Sequence, residues 1–379
     1  MRPGLRSLTM QETALQHLIE AVRNAAASGT PLRIRGGGTH DFLGQSLQGE
    51  VLDTTALHGI TSYEPSELVV TVRGGTPLSE LEAALAEKGQ CLPFEPPRFG
   101  AGGTVGGMVA SGLSGPARAS AGAVRDYVLG LELLNGRGEL LTFGGQVMKN
   151  VAGYDVSRLM AGAWGTLGVI TTVSLKVLPV APAEATLKFE CDQAGALRRL
   201  NAWGGQPLPL NASCWVEDAG VGTLFLRLRG AVAAVEAACR TLGGERQDNA
   251  LVAADWDACR DQRLPWFAER NPAHCLWRLS VPQAAPLLAL PAGVGAPLVE
   301  WHGGQRWVQA GPAHADALRE AAARVGGSAT LFIANNDPLT LGMDRFEPLK
   351  APLDRIHQRL KAEFDPAGIL NRGRLAASF

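Results

Sequence analysis

Three glycine-rich segments could do chemistry in this 379-residue chain: Arg35-Gly36-Gly37-Gly38-Thr39-His40, Gly100 to Gly115 (GAGGTVGGMVASGLSG) and Gly162 to Gly168 (GAWGTLG). A diphosphate enclosed by protein needs many hydrogen-bond donors at short range. Successive backbone N–H groups supply them only where no side chain obstructs the approach. In the second segment Gly102, Gly103, Gly106 and Gly107 lead into a short helix expected near Thr104 to Ser111. Its N-terminus can face phosphate, and Thr104 and Ser111 add hydroxyls. One glycine cluster is usually only a tight turn, but three argue for a large, extended, phosphate-bearing ligand. On this reading Gly37→Val or Gly106→Val abolishes binding, because a β-branched side chain fills the phosphate's space or blocks a positive φ.

Other chemistries find less support. The seven histidines are scattered without metal-ligand spacing, and His302 in Trp301-His302-Gly303-Gly304 lacks acidic or histidine partners. It reads as a satisfied histidine, and no metal is expected. The six cysteines lie far apart, so neither zinc nor an iron–sulfur cluster is gripped by this chain. Lys+Arg 35 against Asp+Glu 36 leaves no positive excess for nucleic acid. The apolar stretch Trp164 to Ala181 is broken by Lys176 and glycines, and Val281 to Trp301 by prolines. No membrane insertion is expected. Met1 to Thr9 has two arginines but no following apolar run of signal length, so a cytoplasmic chain is the expectation.

The elements around the glycines are legible. Thr9 with Glu12 suggests a capping box for a helix whose face is Leu15, Leu18, Ile19 and Val22, ending at Gly29. Pro31 to Arg35 alternates as a strand that runs straight into the glycine triplet. Leu68 to Arg73 is a second strand, after which Thr76 as N-cap and Pro77 at the first helical position open a helix with Leu78, Leu81 and Leu85 inward. Tyr127 to Leu134 and Glu139 to Phe143 form a hairpin about Asn135-Gly136, and Gly168 to Val177 is a further strand. This mixture predicts an α+β fold, not a parallel Rossmann sheet. Composition shifts at Pro179 to Pro182, which divides residues 1–180, with subdomains split near 60, from a smaller α/β domain at 181–340. Residues 341–379 form a C-terminal helix and a tail returning to the first domain. Leu349, Leu353, Ile356, Leu360 and Phe364 read as a buried helical stripe.

The runs IRGGGTHDFLG, ELVVTVRGGTPLSELEAAL, GGTVGGMVASGLSG, VMKNVAGYDVSRLMAGAWGTLGVIT and FDPAGILNRGRL carry a more specific signal. With them the chain resembles the FAD-linked oxidases, and among these the FAD-binding subunits of bacterial glycolate oxidase. The resemblance implies a two-subdomain, PCMH-type FAD-binding domain with a smaller α/β cap. It implies that Arg35, Gly36, Gly37, Gly38, Thr39 and His40 wrap the pyrophosphate. Pro96, Gly102, Gly103, Thr104, Gly106, Gly107, Ser111, Gly112 and Gly115 would run past the phosphates toward the isoalloxazine. Gly165, Thr166, Gly168, Val169 and Ile170 would lie beside the adenine or ribitol, after the loop Gly153, Tyr154 and Asp155. Some relatives attach the flavin through a histidine where this chain has Thr39, and no cysteine stands near Gly100 to Gly103, so FAD is expected without a covalent bond.

Catalytic 2-hydroxy-acid relatives carry a metal motif of histidine and aspartate that is missing here, and no catalytic residue is assigned. The implied role is a subunit of a glycolate-oxidising hetero-oligomer. Its partners would be a catalytic FAD-linked subunit and an iron–sulfur subunit leading to quinone, which would hold it at the inner membrane peripherally. The alternatives are a stand-alone FAD-dependent oxidoreductase for a small hydroxy acid or alcohol, and a mainly structural subunit.

Overall fold

A computed structural model describes residues 3–45, 48–145, 154–340 and 342–376. The first helix is Pro3–Ser28, so Thr9 lies within it and not at its start. Its residues Leu18, Ile19, Val22 and Ala25 are buried against Leu32, Leu52, Ile369 and Leu370. Each large aliphatic side chain buried this way contributes roughly 1.5–3 kcal/mol. The helix thereby covers a parallel pair of strands, Leu32–Arg35 and Glu50–Asp53. The C-terminal tail completes this layer, with Leu32 N–H donating to the Ile369 carbonyl at 2.7 Å and Asn371 N–H to the Leu32 carbonyl at 2.9 Å.

A five-stranded antiparallel sheet follows, in the order Ile60–Glu64, Val69–Arg73, Val169–Lys176, Val128–Leu134 and Leu140–Gly144. Helices Leu78–Ala86 and Val105–Ser111 pack on it around Val70, Phe94, Val109 and Val173. Two turn details depart from expectation. Thr76 does not cap its helix; its Oγ1 accepts the Gly59 N–H at 2.9 Å, and Pro77 stands at the cap. The hairpin turn spans five residues, because Asn135 Oδ1 accepts the N–H groups of Arg137 and Glu139, and Gly138, not Gly136, takes the positive φ of 73°.

From Ala183 onward the chain builds an eight-stranded antiparallel sheet. Its order is Glu245–Arg246, Ala183–Glu190, Val221–Gly230, Leu210–Asp218, Leu298–Glu300, Gln305–Ala310, Cys275–Ser280 and Ser328–Ile333. Trp256, Trp277, Trp301 and Trp307 are buried within its layers, as apolar bodies with one donor each should be. The two sheets are tied at Glu95, whose carboxylate takes Arg227 at 2.6 and 2.7 Å and Arg229 at 3.1 Å. Burial alone would raise this carboxyl, and the two guanidiniums overcome that and hold it below its usual range.

The C-terminal helix Leu353–Phe364 overturns one expectation. Leu349, Leu353 and Ile356 are exposed, while Leu360 and Phe364 are only partly buried. The buried residue of this helix is Lys361, whose Nζ donates to the carbonyls of Thr166 and Leu370 and to Asp365 Oδ2, at 2.8, 2.7 and 2.7 Å. Three oxygens satisfy the ammonium, so the helix docks through its last turn and not along its apolar stripe.

Candidate functional site

The three glycine segments meet at a cavity of about 100 Å³. Arg35, Gly36, Gly37, Gly38, Thr39, His40, Thr104, Gly106, Gly107, Ser111, Gly165, Gly168, Val169 and Ile170 line it, together with Ile34, Asp41, Thr54, Ala110, Trp164, Asn371 and Arg374. A cavity of about 500 Å³ adjoins it through Asp41, and one of about 690 Å³ meets that second cavity at Phe42.

Local chemistry holds each wall. The strand Leu32–Arg35 delivers the glycine triplet, and Asp41 closes the loop by accepting from both Arg33 and Arg35. Thr104 caps Val105–Ser111, its Oγ1 accepting the Gly107 N–H at 3.2 Å. The segment before this helix is pinned by backbone bonds: Leu78 N–H to the Gly103 carbonyl at 2.8 Å, Val105 N–H to Thr76 at 2.9 Å, and Gly106 N–H to Gly74 at 2.7 Å. From the tail, Asn371 Oδ1 accepts the Ile34 N–H at 2.7 Å and its Nδ2 donates to the Trp164 carbonyl at 2.6 Å. Arg374 stacks over Trp164 and donates to the His40 carbonyl at 2.8 Å. Its pKa falls to about 10, chiefly through burial, which leaves it charged at neutral pH. Three guanidiniums, Arg33, Arg35 and Arg374, against one carboxylate, Asp41, leave a positive surplus that suits an anionic ligand.

His40 is the clearest sign of a missing partner. Its Nδ1 bonds Thr39 Oγ1 at 3.0 Å and its ring packs edge-on to Phe99 and Trp164, yet the buried Nε2 has no partner. Burial, and next Arg374, lower its pKa to about 4. A diphosphate-bearing cofactor fits this wall: backbone N–H groups free of side chains, surplus positive charge and an unmet ring nitrogen. The central space takes a phosphate-sized group, and the rest of a dinucleotide must extend into the adjoining cavities.

The other expected residues lie elsewhere. Gly102 is exposed and lies against Gly37, and Gly103, bonded to Leu78, lines the cavity of about 690 Å³ instead. Pro96 is buried outside the cavity wall. Gly112 ends the helix in the left-handed region, and Gly115 N–H donates to the Phe94 carbonyl at 2.9 Å. Thr166 is buried and donates to the Ala163 carbonyl. Tyr154 is 97% exposed, and Asp155 caps the helix Val156–Leu159. Gly153 falls outside the described residues. Asn371 and Arg374 were not among the expected residues, although the run FDPAGILNRGRL and the expected return of the tail pointed to this segment.

His302 bonds Ser213 Oγ at 3.1 Å and Ser120 Oγ at 3.0 Å, and burial lowers its pKa to about 4 as well. His40 and His302 should make the protein acid-sensitive. Below the ordinary histidine pKa of 6.5 the unfolded chain takes up protons that the folded chain refuses, so stability falls as pH drops from about 6.5 to 4. A shift of this size is worth roughly 3 kcal/mol per histidine. Thermal melts across that range should show the fall, and His302→Gln should roughly halve it, leaving the part that belongs to His40.

Among the described residues no group of three metal-binding side chains occurs, and no helix is long and apolar enough to cross a membrane. A family model described as FAD binding domain matches residues 9–144, which include the first two glycine segments. Glycolate oxidase subunit GlcE of Escherichia coli strain K12 is 44% identical over 362 residues, 96% of this chain and 97% of that protein. Glycolate oxidase subunit GlcD of Bacillus subtilis strain 168 is 33% identical over 159 residues, 41% of this chain and 34% of that protein. The solved structure of an alkyldihydroxyacetonephosphate synthase superposes with a TM-score of 0.62 over 94% of this chain and 75% of that one, at 14% identity, which is a likeness of fold. With an FAD-binding domain at its N-terminus and a match to GlcE along nearly its whole length, the chain belongs to the FAD-linked oxidase family.

Proposed function

We propose that this chain is the FAD-binding subunit of a glycolate-oxidising assembly, and that it works between a second FAD-linked subunit and an iron–sulfur subunit that passes electrons toward quinone. The observation that carries this reading is the 44% identity to glycolate oxidase subunit GlcE across 96% of the chain. Peripheral attachment to a membrane would come from those partners.

When bound, FAD supplies hydride acceptance and one-electron transfer. The protein's part is placement. Backbone N–H groups of Gly36 to Gly38 would hold the phosphates and His40 Nε2 would accept a hydrogen bond from the cofactor, while the N–H groups of Val105, Gly106 and Gly107 are spent within the protein. Arg374 adds positive charge while keeping Trp164 in the wall. Asn371 ties the tail to two walls at once. With Thr39 at the position where a histidine would be needed, the cofactor is held without a covalent bond.

The test is the visible absorption spectrum of the purified chain under anaerobic conditions, before and after glycolate, alone and with the partner subunits. The expected result is flavin bands that leave with denatured protein-free filtrate and bleach with glycolate only in the assembly. Absence of flavin after reconstitution would overturn the reading, and bleaching in the isolated chain would make it a dehydrogenase in its own right.

A further inference from the structure

A cavity of about 540 Å³ lies against the eight-stranded sheet and shares no lining residue with the cofactor cavity. Its walls are buried or half-buried apolar side chains: Val252 and Trp256 from the helix Asn249–Arg260, and Leu264 and Trp266 from the segment after it. Its exposed residues, apart from Pro265, are four acids, Glu217, Asp218, Asp255 and Glu269. Among the described residues no lysine, arginine or histidine lines it, and none of the four carboxylates has a hydrogen-bond or ion-pair partner.

Covering apolar walls gains roughly 25 cal/mol for each Å² taken from water. Four unpaired like charges around one mouth repel each other, and a cation set among them relieves the repulsion. The occupant that meets both demands has an apolar stem and a cationic head, as arginine and lysine side chains do. An arginine also finds a ring to stack on in the half-buried Trp266, whereas Trp256 already carries Arg227, 4.7 Å from its centroid. Packed rings join this wall to the cofactor wall. Between centroids, Trp266 stands 5.0 Å from Phe267, Phe267 5.5 Å from Trp307, Trp307 4.9 Å from Phe332, Phe332 6.0 Å from Phe99, and Phe99 5.2 Å from His40. A protein seated there is continuous with the cofactor wall through close-packed side chains, as a member of the same assembly would be.

We propose that this groove receives a basic side chain, an arginine or lysine beside an apolar residue, from a partner subunit of the assembly; that choice of occupant rests on the function proposed above. The cationic head stands among Glu217, Asp218, Asp255 and Glu269, while the stem and its apolar neighbour cover Val252, Leu264 and Trp266. The groove is an anchor and not the whole interface. A stable contact covers about 800 Å² on each partner, and a few pocketed side chains carry most of its binding free energy. Glu217 and Asp218 end the strand Leu210–Asp218 at the exposed turn Ala219-Gly220, so they can be exchanged without disturbing the fold.

Sedimentation of the flavin-loaded chain with the two partner subunits, at several salt concentrations, tests the groove. Glu217→Gln with Asp218→Asn should weaken assembly about fivefold and flatten its salt dependence. Glu217→Lys with Asp218→Lys should weaken it at least about tenfold, because like charges then meet. Flavin absorbance and Tm should match the wild type in both. The same reversal at Glu67 and Glu87, exposed acids of the first domain, should cost far less. Full assembly in the Glu217→Lys, Asp218→Lys variant overturns the proposal, as does an equal loss in the Glu67, Glu87 control. Binding of phenethylamine to the isolated chain, with assembly indifferent to the rim, would give the groove to a free amine. Self-association of the isolated chain that the reversal disperses would give it to a second copy, and either result overturns the proposal. A wild-type chain that retains no partner would bring down the proposed function together with the groove, whereas assembly that ignores the rim brings down the groove alone.

Discussion

Replacing Gly37 by alanine should leave the purified chain without FAD, while the same change at Gly102 should leave FAD in place. The two glycines face each other across one backbone contact. A Cβ on Gly37 would lie 1.5 Å from the Gly102 carbonyl oxygen and 2.3 Å from its carbon, whereas a Cβ on Gly102 meets nothing nearer than 3.4 Å. No rotamer relieves an overlap with backbone, so one strand of the contact must move. Residues 103 to 106 are held by the bonds to Leu78, Thr76 and Gly74, and the triplet loop therefore gives way. Flavin absorbance per chain after reconstitution, with circular dichroism to show folding, reads the result. FAD retained by Gly37→Ala would remove the loop from the site. FAD lost from Gly102→Ala would show that this glycine serves the ligand's approach. The reason differs from the one the sequence suggests. Gly37 and Gly106 have no positive φ, and a Cβ on Gly106 would strike the Gly74 carbonyl at 2.8 Å, so these glycines let three backbones stack closely.

That contrast marks how far the site could be read from the sequence. A wall of backbone donors leaves its imprint locally, as a strand running into a glycine triplet or a glycine run with Thr104 at its helix cap, and those parts were legible. Composition does not separate a glycine that faces a ligand from one that ends a helix, which is why Gly112 and Gly115 looked like Gly106 and Gly107. Asn371 reaches Ile34 across 337 residues, and no local pattern encodes such a contact. The strand order of the second sheet was hidden for the same reason. The stripe Leu349 to Phe364 shows a different limit, since periodicity reveals that a helix has an apolar face but not what covers it. There the orientation was decided by Lys361, whose acceptors come from two other parts of the chain.

Asp365→Ala should cost about 3–5 kcal/mol of stability, the usual consequence of stranding one partner of a buried ion pair, and should release FAD as well. Asp365 Oδ1 accepts the Ile369 N–H at 3.1 Å, and Oδ2 accepts the Leu370 N–H and Lys361 Nζ, each at 2.7 Å. The carboxylate thus folds the tail and answers the charge of a lysine only 6% exposed. Burial lowers the Lys361 pKa, and Asp365 is the group that opposes the shift, so its loss must lower that pKa further. The unfolded chain then holds a proton that the folded variant sheds, and stability of the variant rises with pH through the alkaline range. The deficit against wild type should therefore be largest near neutrality and shrink toward the ordinary lysine pKa. Lys361→Met added to Asp365→Ala should recover part of the loss by removing the stranded charge. Denaturant unfolding at several pH values separates these effects, and flavin release should follow the tail, because Ile369 to Arg374 brings Asn371 and Arg374 to the cofactor wall. A variant with wild-type stability and full flavin would mean that the bonds of Leu32 to Ile369 and Asn371 hold the tail unaided.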